Sequence, residues 1–136
     1  MNFSFKCHRS QPVSIEYPFP YIETNKISKK NNITDVFSVN AISFHPVYAA
    51  TFSTAGSDGT FQFWDKDSRH RLKYSDSVGA PISATAFNKD GTTFAYAVSY
   101  DWSKGYAHNS AQHLDKVMLH PVANEEVKPK SSTNRR

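Results

Sequence analysis

Cysteine occurs once in the 136 residues, at Cys7, so no disulfide can close within the chain and no thiolate cluster can hold a metal from one copy. A reducing compartment is the corresponding expectation. No uncharged apolar run approaches the roughly 20 residues of a bilayer-spanning helix, and Met1-Asn-Phe-Ser-Phe-Lys6 lacks the apolar centre of a secretory signal. Neither membrane insertion nor export is expected. Glycine is scarce, with five in all and no cluster that could cradle a phosphate, and no Gly-x-Ser-x-Gly elbow is present. His108, His113, Asp115 and His120 are ligand types within 13 residues, but their spacing matches no helical pair and they span a loop and a strand. No enzyme, cofactor or metal site is expected.

The basic excess is also less than it looks. Lysine and arginine number 16 against 12 acidic residues. Lys128, Lys130, Arg135 and Arg136 account for the difference, which leaves residues 1–127 formally neutral. A basic stripe along a fold would point to phosphate binding. Here the excess sits in a tail, so only a weak contact with RNA through that tail, helped by tyrosines such as Tyr17, Tyr21 and Tyr106, is kept as an alternative.

What is present is punctuated β-structure. Residues 10–38 mix proline, asparagine and charge with neither a two-residue nor a 3.6-residue apolar period, and read as a long loop insertion. Val39–Phe44, Thr51–Ala55, Thr60–Trp64 and Arg69–Tyr74 then read as four strands in 36 residues, with turn chemistry at Gly56-Ser-Asp-Gly59 and a break at Asp65-Lys-Asp-Ser68. Ile82–Phe87, Thr92–Tyr100 and Lys116–His120 repeat the order, and aligning Phe44 on Phe87 gives a period of 43 residues. A four-strand repeat of about 40–45 residues, with Trp-Asp closing one strand, is the signature of a WD-repeat β-propeller blade. In Thr92–Tyr100 bulky Phe94, Tyr96, Val98 and Tyr100 alternate with Ala95, Ala97 and Ser99, as expected of a strand packed between two neighbouring blades.

The WD-repeat pattern supplies a hydrogen-bond network as well. It joins the turn aspartate, a histidine ahead of the repeat, a strand Ser or Thr and the tryptophan. The matching positions are Asp58, His8, Thr54 and Trp64. No glycine precedes His8, and the 10–38 insertion stretches its distance to Trp64. The second repeat has Asp101 at the turn position but Ala97 in place of Thr54 and Met118-Leu-His120 in place of Trp-Asp.

The expected fold is therefore all-β, an incomplete WD-repeat β-propeller of about two blades plus one leading strand. Residues 1–9 carry the last strand of an upstream blade, 10–38 the insertion and 39–74 a blade. Residues 81–122 form a degenerate final blade lacking its closing strand, and 123–136 a basic flexible tail. Even four blades would need about 160 residues, so the ring cannot close. The chain reads as the C-terminal piece of a larger propeller, or else as a short protein that completes its sheets by self-association.

Val39-Asn-Ala-Ile-Ser-Phe-His-Pro46, Gly56-Ser-Asp-Gly-Thr-Phe61, Phe63-Trp-Asp-Lys-Asp67 and above all Ala95-Tyr-Ala-Val-Ser-Tyr-Asp-Trp-Ser-Lys-Gly105 resemble the end of one WD-repeat family. This is the RNA-export nucleoporin family, whose propeller binds the GLEBS segment of an FG-repeat nucleoporin at the nuclear pore. Phe3-Ser-Phe-Lys-Cys-His-Arg9 and Glu125-Glu-Val-Lys-Pro129 carry the same likeness. The resemblance implies a seven-bladed ring and a non-enzymatic scaffold in messenger-RNA export. It implies a location in the nucleus, at the nuclear pore and in the cytoplasm, with mitotic checkpoint factors as further partners. A spindle-checkpoint-type adaptor is the second alternative. From the residues themselves, Tyr100, Asp101, Trp102 and Lys104 combine an aromatic anchor with charge in a turn, the composition of a partner hot spot. Packing of Trp102 at the propeller edge is the competing reading.

Overall fold

The computed structural model describes residues 6–15, 31–110, 112 and 115–129. Most of the leading strand expected at Asn2–Cys7, the middle of the insertion and residues 130–136 lie outside that set. The described strands are β1 (Val13–Ile15), β2 (Asn31–Ile33), β3 (Val39–Phe44), β4 (Thr51–Gly56), β5 (Phe61–Asp65), β6 (His70–Tyr74), β7 (Ile82–Phe87), β8 (Thr93–Val98) and β9 (Lys116–Pro121), followed by one helical turn, α1 (Asn124–Val127). β3-β4-β5-β6 form one antiparallel sheet and β7-β8-β9 a second, while β1 pairs with β2. The fold is all-β, and the two larger sheets are consecutive blades of an incomplete β-propeller.

The strand ends follow local chemistry. Thr60 falls outside β5 because its amide and hydroxyl both bond the Asp58 carboxylate and close the turn. Arg69 sits at φ 60, a left-handed conformation that belongs to a turn, so β6 begins one residue later. Beyond β8, the Ser99 amide donates to the Pro81 carbonyl (3.1 Å).

Burial grades outward across the first blade. Every residue of β4 and β5 is buried, whereas β6 keeps only Leu72 partly covered and turns its charges to solvent, which discourages edge pairing with another chain. Between the blades lies a continuous core. Ala55, Phe61 and Phe63 of the first meet Ile82, Phe94, Tyr96 and Val98 of the second. The Phe63 and Phe94 rings meet edge-on with centroids 5.2 Å apart, a favourable quadrupole arrangement.

Two segments differ from the sequence expectation. The 10–38 loop contains a ladder, with Val13 opposite Ile33 and Ile15 opposite Asn31, plus a bridge between Arg9 and Val36. The stretch expected as a flexible tail opens with α1, which returns to the first blade. Val127 is 2% exposed in the shared core, the Thr51 hydroxyl donates to its carbonyl (2.7 Å), and the Tyr48 hydroxyl donates to Asn124 Oδ1 (2.8 Å). Val127 burial and these two hydrogen bonds tie down a turn whose exposed residues are polar.

Candidate functional site

The β4–β5 turn is held from inside. Gly59 adopts φ +72, and a Cβ there would stand 2.6 Å from the Ala80 carbonyl, so the turn and the approach of the second blade both require glycine. Asp58 accepts from His8 Nδ1 at 2.8 Å, His8 Nε2 lies 3.1 Å from Thr54 Oγ1, and Trp64 Nε1 donates to the same hydroxyl at 2.9 Å. The indole can only donate. The Thr54 hydroxyl and the His8 ring thus link the indole to the Asp58 carboxylate in one continuous hydrogen-bonded chain. Burial alone would raise the Asp58 carboxyl. The His8 and Thr60 hydrogen bonds outweigh it and hold the group below its ordinary range. The chain brings His8, 1% exposed, to partners 46 and 50 residues away by returning the insertion to its start, where the Phe37 amide donates to the His8 carbonyl (2.9 Å).

Forty-three residues after Asp58 stands Asp101, in surroundings of another kind. Its Oδ1 accepts the Ser103 amide (3.1 Å), and its Oδ2 accepts Asn40 Nδ2 (3.0 Å) and the Ser57 hydroxyl. Burial would raise this carboxyl too, but the hydrogen bonds from Ser57, Ser103 and Asn40 bring it down to about 2. Asp101 thus faces inward, across the seam between blades. Asn40 and Ser57 were not legible as its partners, because the 43-residue spacing finds the acceptor and says nothing of donors in the neighbouring blade.

The other three residues of that turn lie differently. Trp102 is 59% exposed at φ 60, its ring 5.7 Å from that of half-buried Tyr100. The Tyr100 hydroxyl donates to the Gly105 carbonyl (2.8 Å), and the Lys104 carbonyl accepts from His108 Nδ1 (2.9 Å) while its side chain is exposed. Between this turn and the Gly56–Gly59 turn runs a cleft of about 480 Å³. Phe37, Ala80, Pro81 and Tyr100 give it apolar walls, with Lys104 and His108 on the polar side. Its apolar walls suit an aromatic or aliphatic group.

Of the histidines considered as ligands, the two described ones have separate partners. His108 bonds the Lys104 carbonyl, His120 pairs with Glu126 at 2.8 Å, and His113 lies outside the described residues. Among the described residues no group of three His, Cys, Asp or Glu side chains could hold a metal ion, and no helix is long and apolar enough to cross a membrane.

The chain is 57% identical over 136 residues to the mRNA export factor GLE2 of Chaetomium thermophilum, covering 100% of the chain and 33% of that protein. It is 53% identical over 134 residues to the poly(A)+ RNA export protein of Schizosaccharomyces pombe, covering 98% of the chain and 33% of the relative. The WD40 repeat protein poxJ of Penicillium oxalicum is 50% identical over 135 residues, 99% and 34% respectively. The likeness is to proteins named for RNA export and to one named for the WD40 repeat. The chain spans about a third of the length of these relatives. No family model matches it.

Proposed function

We propose that this chain serves as a non-enzymatic interaction scaffold in mRNA export. It docks through the Tyr100–Lys104 turn and the adjoining cleft onto the GLEBS segment of an FG-repeat nucleoporin, and so works in the nucleus, at the nuclear pore and in the cytoplasm. The observation that carries the export role is identity of 50–57% along almost the whole chain to proteins named for RNA export or for the WD40 repeat. The docking role rests on an exposed tryptophan, Trp102, in the same turn as Tyr100 and Lys104, which line the adjoining cleft; an exposed aromatic with a nearby charge is a composition that concentrates binding energy. Trp102→Ala and Lys104→Ala are the test, read as retention of the GLEBS segment by the full chain. Binding should fall by at least tenfold for Trp102→Ala, about 1.4 kcal/mol or more. Undiminished binding with both changes removes this surface from the account.

A further inference from the structure

β3 and β7 each carry an irregularity at the same point of the repeat. Register shifts between Val39 and Ala41 in β3, and between Ile82 and Ala84 in β7, leaving Asn40 and Ser83 as the extra residues, 43 positions apart. A bulge re-aims the side chain it carries. Ser83 stays within its own blade, where its hydroxyl accepts from Ser99 Oγ at 2.8 Å. Asn40 instead reaches across the seam. One of its amide hydrogens goes to the Ile82 carbonyl (3.0 Å) and the other to Asp101 (3.0 Å), while its Oδ1 accepts the Ser38 hydroxyl (2.9 Å). All three of these polar groups are therefore engaged.

Asp101 divides its two oxygens between two tasks. Oδ2 is tied to the seam by Asn40 and Ser57, and Oδ1 spans Trp102 to hold the Ser103 amide. Trp102 lies between those two contacts in a left-handed conformation that a bulky L-residue holds only where its surroundings impose it. We infer that Asn40, with Ser57, is a positioning residue for the docking turn, acting through Asp101, and that Asp101 itself sets the direction of Trp102 rather than touching a partner. This rests on the docking surface proposed above. The low pKa of Asp101 is consistent with it, since the anchor then stays a carboxylate throughout the neutral range.

The experiment uses the full chain with 5-fluorotryptophan, whose two fluorine resonances report Trp64 and Trp102 separately, alongside the dissociation constant for the GLEBS segment. Asn40→Asp sets two carboxylates against each other. It should move or broaden the Trp102 resonance, leave that of Trp64 in place and weaken binding by about tenfold, the size of one lost charge-assisted hydrogen bond. Combining it with Asp101→Asn exchanges amide and carboxylate, and should recover half or more of that loss on a logarithmic scale. A purely structural role would not respond to the exchange in this way. If Asn40→Asp also displaces Trp64, the milder Ser57→Ala decides by the same two readouts.

An unchanged Trp102 resonance and affinity in Asn40→Asp or, where Trp64 moves, in Ser57→Ala overturns the inference. Loss without recovery in the exchange overturns it too. Should Trp102→Ala leave binding intact while Asn40→Asp still moves the resonance, the docking reading falls and the geometric link between Asn40 and Trp102 stands.

Discussion

Thr54 illustrates how much one hydroxyl can hold. It receives the Trp64 indole and satisfies His8, so Thr54→Val, nearly the same in volume, orphans two buried ring nitrogens at once. The loss should be about 1–3 kcal/mol, read from urea denaturation. His45 makes a different demand. Its Nδ1 accepts the amides of Val47 (3.2 Å) and Tyr48 (3.0 Å) while Nε2 donates to the Gly91 carbonyl (3.2 Å), so the ring must be neutral. Burial lowers its pKa from 6.5, and the Gly91 carbonyl only partly opposes this. Below pH 6.5 the unfolded chain takes up a proton that the native ring refuses. Stability from this site is thus complete above pH 6.5 and declines as pH falls through it. The urea midpoint should drop between pH 7 and 5.5, with a smaller drop in His45→Asn. Asp101 follows the same sign lower down: its contribution is intact above 3.8 and is lost toward pH 2. The relay through Thr54 was legible because the WD pattern fixes its residue types along the chain. His45 was not, since the burial that lowers its pKa involves packing against a turn 46 residues away. There a Cβ on Gly91, at φ +73, would stand 2.3 Å from the ring.

Among the elements, β3 to β9 were readable because alternation and turn residues are local signals, whereas β1 and β2 lie in a stretch without an apolar period. α1 was not readable either, because its four residues contain one apolar side chain and no period. Its place is set by tertiary contacts alone. Val127 enters the shared core, and Glu126 meets Lys73 Nζ at 3.2 Å and His120 at 2.8 Å. Val127→Ala should therefore cost about 1–3 kcal/mol through a cavity beneath the turn, measured by chemical denaturation. Glu126→Gln should cost less than about 1 kcal/mol, because Lys73 remains substantially exposed and its pairing is screened. A larger effect for Glu126→Gln than for Val127→Ala would show that charge rather than burial seats the turn.

At the scale of the molecule, two sheet faces have no blade against them among the described residues, and they are built in opposite senses. On the first blade Ile42 and Phe44 put bulk on the innermost strand, at 60% and 64% exposure, paired in register with Thr54 and Phe52. On the second, Ala84, Ala86, Ala95 and Ala97 leave the inner strands shallow, and Val117 and Leu119 of β9 put bulk at the edge. Each face suits the other's profile, as successive faces of a propeller must. Contiguous apolar faces of this kind drive association. The 136-residue chain on its own should self-associate at micromolar concentration in sedimentation velocity, and Ile42→Ser with Leu119→Ser should return it toward a monomer. A monomer with the native faces would contradict that account.

The pairing of Ile15 with Asn31, in a two-stranded ladder outside both blades, brings together the two ends of residues 16–30. Closing a longer excursion from a fixed neck costs little, because the entropy grows only with the logarithm of its length. A fluorescent protein or affinity tag spliced between these residues should leave both blades undisturbed, which makes this neck a natural handle for imaging the chain in living cells.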